Sequence, residues 1–430
     1  MKLELKRQSF LKAWQIAERF TDPKSVKGAV GGIFIKASDD GKVTLEATDL
    51  KTSVRCEADG VNVIEPGFAI VPAGILGSMM KKAATDELML EVNSERGFLN
   101  AGKSKTRFAI ISAEEFPKIP ESESAEAVCE ILASDLGRMI FEGGSAASQP
   151  QDFPKYIGTC LLRTQKGFLK VASTDGKRLA LSQFVCAHIS KDCDLLLPAQ
   201  AFKDLGKTLT TNYADKNVKV LTDSSIVWFN LEGVEFSIRI IDATFPNYER
   251  ILNNTCVTAL KIKTSELIPV LERIDIIART TPAHIMAMLL LPKMEGETTE
   301  SELRITARAP EKGTASERLS AEITGNPLQI GFNVSYFLDG LRILGNDEVN
   351  IEFSDSEGQT RMKRKNSDDL LYMLMPARLS PQDIIAEDEM NEFESYANED
   401  EANEQNEQSE SPEENQESQN ENHEGEYNQQ

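Results

Sequence analysis

The chain has 430 residues, 40% of them hydrophobic, and a formal charge of −22. At about 100–200 residues per domain this allows two to four domains. No window approaches the ~18 uncharged apolar residues of a membrane span, and the opening MKLELKRQSF is followed by no apolar signal segment, so a cytoplasmic protein without membrane partners is expected. Six cysteines (Cys56, Cys129, Cys160, Cys186, Cys193 and Cys256) are scattered without a CxxC pair, the pattern of reduced thiols and not of a disulfide framework.

In chain order, SFLKAWQIAERF (9–20) places Phe10, Leu11, Trp14, Ile16 and Ala17 near helical spacing, with Ser9 as the expected N-cap. Short alternating runs follow: GIFIKAS, VTLEATD, TSVRCEA and FAIVPA, separated by turn dipeptides that read as hairpins. A second helix, PAGILGSMMKKAA, leads into the strand ELMLEVN. The same order returns twice. Helices are expected from Ser134 (SDLGRMIFEGGSA) and Thr264 (TSELIPVLERIDIIA), then at PAQAFKDLGKTL and VSYFLDGLRIL, ahead of the strands NVKVLTD and EVNIEFSD.

Fixed marks keep step with this order. Phe116-Pro117 is followed 129 residues later by Phe245-Pro246, and Met375-Pro376 stands 130 beyond that. Thr48-Asp49 recurs as Thr174-Asp175 and, degenerately, as Thr306-Ala307. So long a period is a whole domain repeated, not a solenoid unit. The expectation is an α+β protein of three repeated antiparallel domains at 1–125, 126–253 and 254–379. Each has two helices and about eight strands, with the helices covering one sheet face. From Pro381 to the end there are 18 acidic residues and no Lys or Arg, which leaves 51 acids against 47 bases in residues 1–380. That tail, 380–430, is too polar to offset its ordering entropy and is expected to be disordered.

Catalytic patterns are missing. Only His188, His284 and His423 are present, with no HExxH, no Cys/His cluster at metal spacing and no phosphate-binding glycine loop. His284 falls in the apolar run PAHIMAMLLL and reads as a core or edge histidine. No metal or cofactor is expected.

Four segments carry a resemblance. Ser173-Thr174-Asp175-Gly176-Lys177-Arg178-Leu179-Ala180, Phe245-Pro246-Asn247-Tyr248-Glu249-Arg250-Ile251, Gly331-Phe332-Asn333-Val334-Ser335-Tyr336 and Tyr372-Met373-Leu374-Met375-Pro376-Ala377-Arg378-Leu379 resemble, in order, motifs of the bacterial DNA polymerase III beta subunit, the replication sliding clamp family. With the triple repeat, the resemblance covers residues 1–379. It implies a DNA clamp fold whose head-to-tail homodimer closes a ring around duplex DNA, with the helices lining the hole. It also implies a pocket between the second and third domains that takes short peptides from the polymerase III catalytic subunit, the clamp loader and other clamp-binding proteins. Carried over, the apolar walls are Ile157, Leu179, Pro246, Ile251, Met373, Met375 and Pro376, and the chain of the family ends at the equivalent of Leu379. Thr174, Gly176, Lys177 and Arg178 shape the rim, and Asn333, Tyr336 and Arg378 supply polar contacts. A few apolar anchors in a preformed groove supply most of such a peptide's affinity.

The DNA contacts implied are Lys24, Lys81, Lys82, Gln151, Lys155, Tyr156, Lys203 and Lys207. Phosphate attraction carries no register and so permits sliding. The expected function is a non-catalytic processivity factor. Two alternatives are a DNA-processing hydrolase, which would need clustered carboxylates for a metal pair, and a repeat scaffold whose acidic tail mimics nucleic acid. Retention on circular but not linear DNA separates the clamp from both.

Overall fold

A computed structural model describes residues 1–25, 28–112, 115–148, 154–252, 255–293, 301–345 and 348–385. Residues Met1–Leu379 form one compact unit and Ser380 onward another. Within the second, Asp383 accepts hydrogen bonds from the Ser380 backbone and hydroxyl at 3.0 and 2.5 Å. Most of the expected tail, from 386 on, lies outside the described residues.

The first repeat runs β1 (Lys2–Lys6), α1 (Arg7–Glu18), β2 (Gly32–Ala37), β3 (Val43–Thr48), β4 (Thr52–Glu57), β5 (Val61–Glu65), β6 (Gly67–Pro72), α2 (Ala73–Lys81), β7 (Glu87–Val92), β8 (Arg96–Ala101) and β9 (Ser104–Ala109). The second runs β10 (Glu126–Leu132), α3 (Ala133–Gly143), β11 (Thr159–Gln165), β12 (Phe168–Thr174), β13 (Arg178–Val185), β14 (His188–Ile189), β15 (Cys193–Pro198), α4 (Ala199–Asn212), β16 (Asn217–Thr222), β17 (Ile226–Leu231) and β18 (Val234–Arg239). The third runs β19 (Thr258–Lys263), α5 (Thr264–Ala278), β20 (Ile285–Leu291), β21 (Glu302–Ala309), β22 (Gly313–Ser320), β23 (Glu322–Gly325), β24 (Leu328–Asn333), α6 (Val334–Leu344), β25 (Glu348–Phe353), β26 (Thr360–Arg364) and β27 (Leu370–Leu374).

Each repeat therefore has nine strands, not eight; the additional one is the short β5, β14 or β23. The first helices also begin earlier than their hydroxyls suggested. Strands β1 and β10 run straight into α1 and α3, with Lys6 and Leu132 at the N-cap and no side-chain cap. Ser9 is thus inside the first turn. The orphan helix-start donors take backbone acceptors instead: Arg7 N donates to Asp86 O at 2.7 Å and Ala133 N to Lys216 O at 2.8 Å.

The larger departure is in the sheets. Instead of one sheet per repeat there are two, and neighbouring repeats share them. The orders are β5-β1-β7-β8-β9, then β14-β10-β16-β17-β18-β4-β3-β2-β6, then β15-β11-β12-β13-β27-β26-β25-β19-β23, and finally β22-β21-β20-β24. Two junctions therefore exist inside the chain, β18 on β4 and β27 on β13, and they use one register. Phe236 pairs with Val54 in the first and Tyr372 with Ala180 in the second, all four buried. Open edges remain at β9 and β22, the equivalents of β18/β27 and of β4/β13.

After its last strand each repeat crosses to the other sheet. Ile111 N donates to Ile70 O, Ile241 N to Leu196 O, and Ala377 N to Gly331 O, at 3.1, 2.8 and 2.8 Å. At the last of these a Cβ on Gly331 would stand 2.5 Å from Ala377 O, so glycine is what lets the final segment lie against β24.

Candidate functional site

The β12–β13 hairpin turns at Thr174–Arg178. Thr174 Oγ1 donates to Arg178 O at 2.6 Å and accepts from Gly176 N at 3.1 Å, while Asp175 Oδ1 accepts from the backbone of Lys177 and Arg178 at 3.0 Å each. Gly176 has φ +85°, a left-handed conformation that glycine adopts without Cβ strain. Met375 N donates to Lys177 O at 2.8 Å, which ties the turn to the chain leaving β27. Leu179 pairs with Met373 and Leu181 with Leu371 on the face away from the third repeat's core. There they join Leu161, Ala172, Leu196, Phe245 and Tyr248 in a small apolar cluster.

Above that cluster the expected wall residues are open: Met375 is 46% and Ile251 40% exposed. Pro246 is exposed, with Pro376 and Leu379 half-buried. Asn333 caps α6 by accepting from Tyr336 N at 3.1 Å. Ile157 sits in a 3-10 turn, Lys155–Gly158, next to Tyr156, whose ring meets Phe245 edge-on at 6.4 Å. A cavity of about 420 Å³ opens beside Pro376, Ala377, Arg378 and Leu379, and another of about 240 Å³ lies between Leu181, Leu252 and Leu371.

Arg178 is not free at the rim. Its guanidinium donates to Asp175 at 2.9 Å, Asp339 at 2.6 Å and the Tyr372 hydroxyl at 3.2 Å, and lies 4.3 Å from the Tyr336 ring centre. Burial works against its charge, but Tyr372, Asp339 and Asp175 outweigh it and raise its pKa. Asp339 escaped the sequence reading, and Tyr372 entered it only as part of the terminal-strand segment without a role, since nothing local marks a partner 161 or 194 residues away. A second buried link is Glu142 on α3, whose carboxylate takes Arg364 at 2.8 Å, Ser182 at 2.7 Å and Arg138 at 3.1 Å. It joins the second and third repeats beneath the site.

The junction between the second and third repeats differs from its twin in the side chains it turns outward. Where β13/β27 present Leu179–Met373 and Leu181–Leu371 outward, the β4/β18 junction presents Ser53–Ser237 and Arg55–Glu235 at the same register. The serine hydroxyls are 2.6 Å apart, and Arg55 is shared between Glu46 and Glu235. One junction is faced by apolar side chains, with Leu179, Leu181 and Met373 buried in the cluster that includes Phe245 and Tyr248; the other is faced by its own polar pairs.

The DNA candidates are dispersed. Lys24 lies in an exposed turn, Lys155 is exposed, and Gln151 is outside the described residues. Tyr156 is turned toward Phe245. Lys81, Lys207 and Arg342 hold the ninth position of α2, α4 and α6. Lys81 is bound to Glu18 at 2.9 Å and Arg342 to Glu272 at 2.9 Å, whereas Lys207 has, among the described residues, only Asp204 of its own helix at 4.0 Å. Lys82 is exposed at the end of α2, and Lys203 lies one turn before Lys207.

His284 is not in a strand. It precedes β20 at φ +53°, with its ring hydrogen-bonded to Asp275 and Ser335 Oγ 3.4 Å from Nδ1. Asp275 also binds Arg279, so this Ser–His–Asp arrangement staples the end of α5 to the start of α6. Among the described residues no three His, Cys, Asp or Glu side chains are grouped to hold a metal, and no helix is long and apolar enough to cross a membrane.

Three family models match in order: the DNA polymerase III beta subunit N-terminal domain at 1–120, central domain at 135–247 and C-terminal domain at 249–378. The beta sliding clamp of Pseudomonas putida is 26% identical over 381 residues, 88% of this chain and 100% of that protein. That of Staphylococcus aureus is 23% identical over 391 residues, covering 88% and 99%. The crystal structure of the Pseudomonas aeruginosa beta subunit aligns with TM-score 0.80 and 25% identity, covering 88% of this chain and all of that one; a P. aeruginosa clamp bound to griselimycin aligns equally well. The chain belongs to the DNA polymerase III beta subunit family, the sliding clamps.

Proposed function

We propose that two copies of this chain close head to tail into a ring around duplex DNA in the cytoplasm. The ring tethers the replicative polymerase and other DNA enzymes without catalysis of its own. The observation that carries this reading is the pair of internal junctions in one register, with matching edges left open at β9 and β22. The same register applied once more sets Thr106 against Ala315 of a second copy, Arg107 against Thr314 and Lys105 against Ser316. Two such contacts complete six repeats with no sheet edge left at a junction. Retention then depends on ring opening, not on phosphate affinity, which a net-acidic body tolerates. We assign Lys82, Lys203 and Lys207 to the DNA-facing wall, with Lys24 and Lys155 as loop contacts.

The partner groove is assigned to Thr174–Leu179, Pro246, Ile251, Asn333, Tyr336 and Met373–Leu379, with Ile157 at one end. Within it Arg178 positions the turn against α6 instead of contacting the peptide. Met375→Lys tests the groove. Because Met375 is about half exposed, a lysine there reaches water and the fold survives, while the apolar seat is lost. Affinity for a clamp-binding polymerase peptide should fall at least about tenfold, roughly 1.4 kcal/mol, with the dimer intact by light scattering. Unchanged affinity would remove the groove assignment. Retention on nicked circular DNA and release on linearisation test the ring.

A further inference from the structure

The three helix pairs are not equivalent in what they offer to DNA. The ninth residue of each first helix is Gln15 in α1, Phe141 in α3 and Glu272 in α5. In the third repeat that residue neutralises the cation across from it, Arg342; in the first, Glu18 neutralises Lys81. In the second repeat the position is a phenylalanine, 66% exposed, and the facing Lys207 keeps its charge. Lys203, at a place held by Gly77 and Leu338 in the other repeats, adds a second cation with no carboxylate at ion-pair distance among the described residues. Phe141, Lys203 and Lys207 border one cleft of about 450 Å³ whose floor is Gly137, Ile140 and Gly206. It exists because α3 and α4 cross at two glycines: a Cβ on Gly206 would meet Ile140 at 2.9 Å, and one on Gly137 the Gly206 carbonyl at 3.0 Å. Arg138, also at the cleft, is taken up by Asp135, Glu142 and Asp369.

We propose that this cleft is the wall against which the enclosed duplex rests. Phe141 packs on the deoxyribose edge of one strand, and Lys203 and Lys207, one helical turn apart on the same face, take its phosphates. Lys203 has no carboxylate at ion-pair distance among the described residues, and Lys207 is held only at 4.0 Å by Asp204 of its own exposed helix face. An apolar contact beside two such cations fits a sugar-phosphate backbone and reads no bases, so it holds the duplex off-centre without arresting sliding. The first and third repeats, quenched at the equivalent places, give no such hold. This rests on the ring reading above.

The test replaces Phe141, Gln15 or Glu272 singly by p-benzoylphenylalanine in the full-length dimer, loads each ring on a nicked circular plasmid and irradiates. Retention on the circle is measured first and confirms that each variant folds and closes. We expect cross-linking to DNA at least fivefold higher from position 141 than from 15 or 272. We also expect Lys203→Ala/Lys207→Ala to reduce the yield from 141 several-fold while retention persists. Yields within twofold at the three positions, or adducts from 141 with protein alone, would overturn the inference and leave the ring standing. Failure of the unmodified protein to be retained would overturn the ring reading, and this inference with it.

Discussion

At the scale of single residues, burial decides both chemistry and stability. The Cys56, Cys129 and Cys160 thiols are pushed up to about 12, in each case first by burial, whereas Cys256 is exposed. Since the thiolate is the nucleophile, alkylation of the native protein at pH 8 should modify Cys256 and spare these three until the protein unfolds, as read by mass spectrometry. Equal labelling would contradict their placement. The same shift sets a direction with pH. The unfolded thiols titrate near ~8.5 and the folded ones only near 12, so between those values the unfolded chain loses protons that the native one keeps. Stability is full below the lower value and declines as pH rises toward the upper one. Glu142 makes the opposite case, a buried charge that must stay. Its carboxylate is 3% exposed and faces Arg364 and Arg138, so Glu142→Ala leaves the two guanidiniums only Asp369 as a shared anion among the described residues and Ser182 without its acceptor, at a cost of about 1–3 kcal/mol. Glu142→Gln keeps hydrogen-bond acceptors and should cost less. Thermal unfolding of the two variants checks the order.

At the scale of elements, the sequence reveals what is periodic and hides what is paired at a distance. The six helices are legible from apolar spacing because each buries one stripe, such as Phe10, Leu11, Trp14 and Ala17 on α1. Helix starts are less so. A hydroxyl such as Ser9 looks like a cap, but the strand preceding α1 supplies the geometry, and Asp86 O of a distant loop supplies the acceptor. The division of each repeat into two sheets was hidden for a related reason: an edge strand and a junction strand share the same alternation. Only the partner distinguishes β4, which meets β18, from β22, whose second edge meets no strand among the described residues. The groove residues were read from the resemblance of their segments alone; the fold adds that Leu179 and Met373 are apolar where Ser53 and Ser237 are not, and that Arg178 is held by Asp339 in another repeat. The final segment gives a test at this scale. Gly331→Ala would push a Cβ to within 2.5 Å of Ala377 O, lifting Pro376–Leu379 from β24. Peptide affinity should fall although no groove side chain has changed, and dimer mass should stay constant. Retained affinity would mean that the segment tolerates the shift.

At the scale of the whole molecule, three junctions of one geometry differ in what fills them. The β4/β18 centre is Val54 with Phe236 and the β13/β27 centre Ala180 with Tyr372, apolar pairs that bury area. The junction between copies would set Thr106 against Ala315, a pair with less apolar area than either internal centre. Its outward pairs, Arg107 with Thr314 and Lys105 with Ser316, set a cation against a hydroxyl. Polar pairs of this kind contribute little when exposed, so the ring should open between copies and not within a chain. The register can be tested directly, because the internal twin of the Arg107–Thr314 pair is Ser53–Ser237, whose hydroxyls are 2.6 Å apart. Side chains that close fit a disulfide, which needs Cβ atoms roughly 3.5–4.5 Å apart. A chain carrying both Arg107→Cys and Thr314→Cys should therefore oxidise to a covalent dimer. Arg107→Cys with Ser316→Cys, two residues out of register, should not. The cross-linked ring should remain on circular DNA through a high-salt wash that releases the reduced one, and reduction should restore release. Cross-linking with the shifted pair, or with neither, would show that the copies meet in another register and would break the argument from the internal junctions.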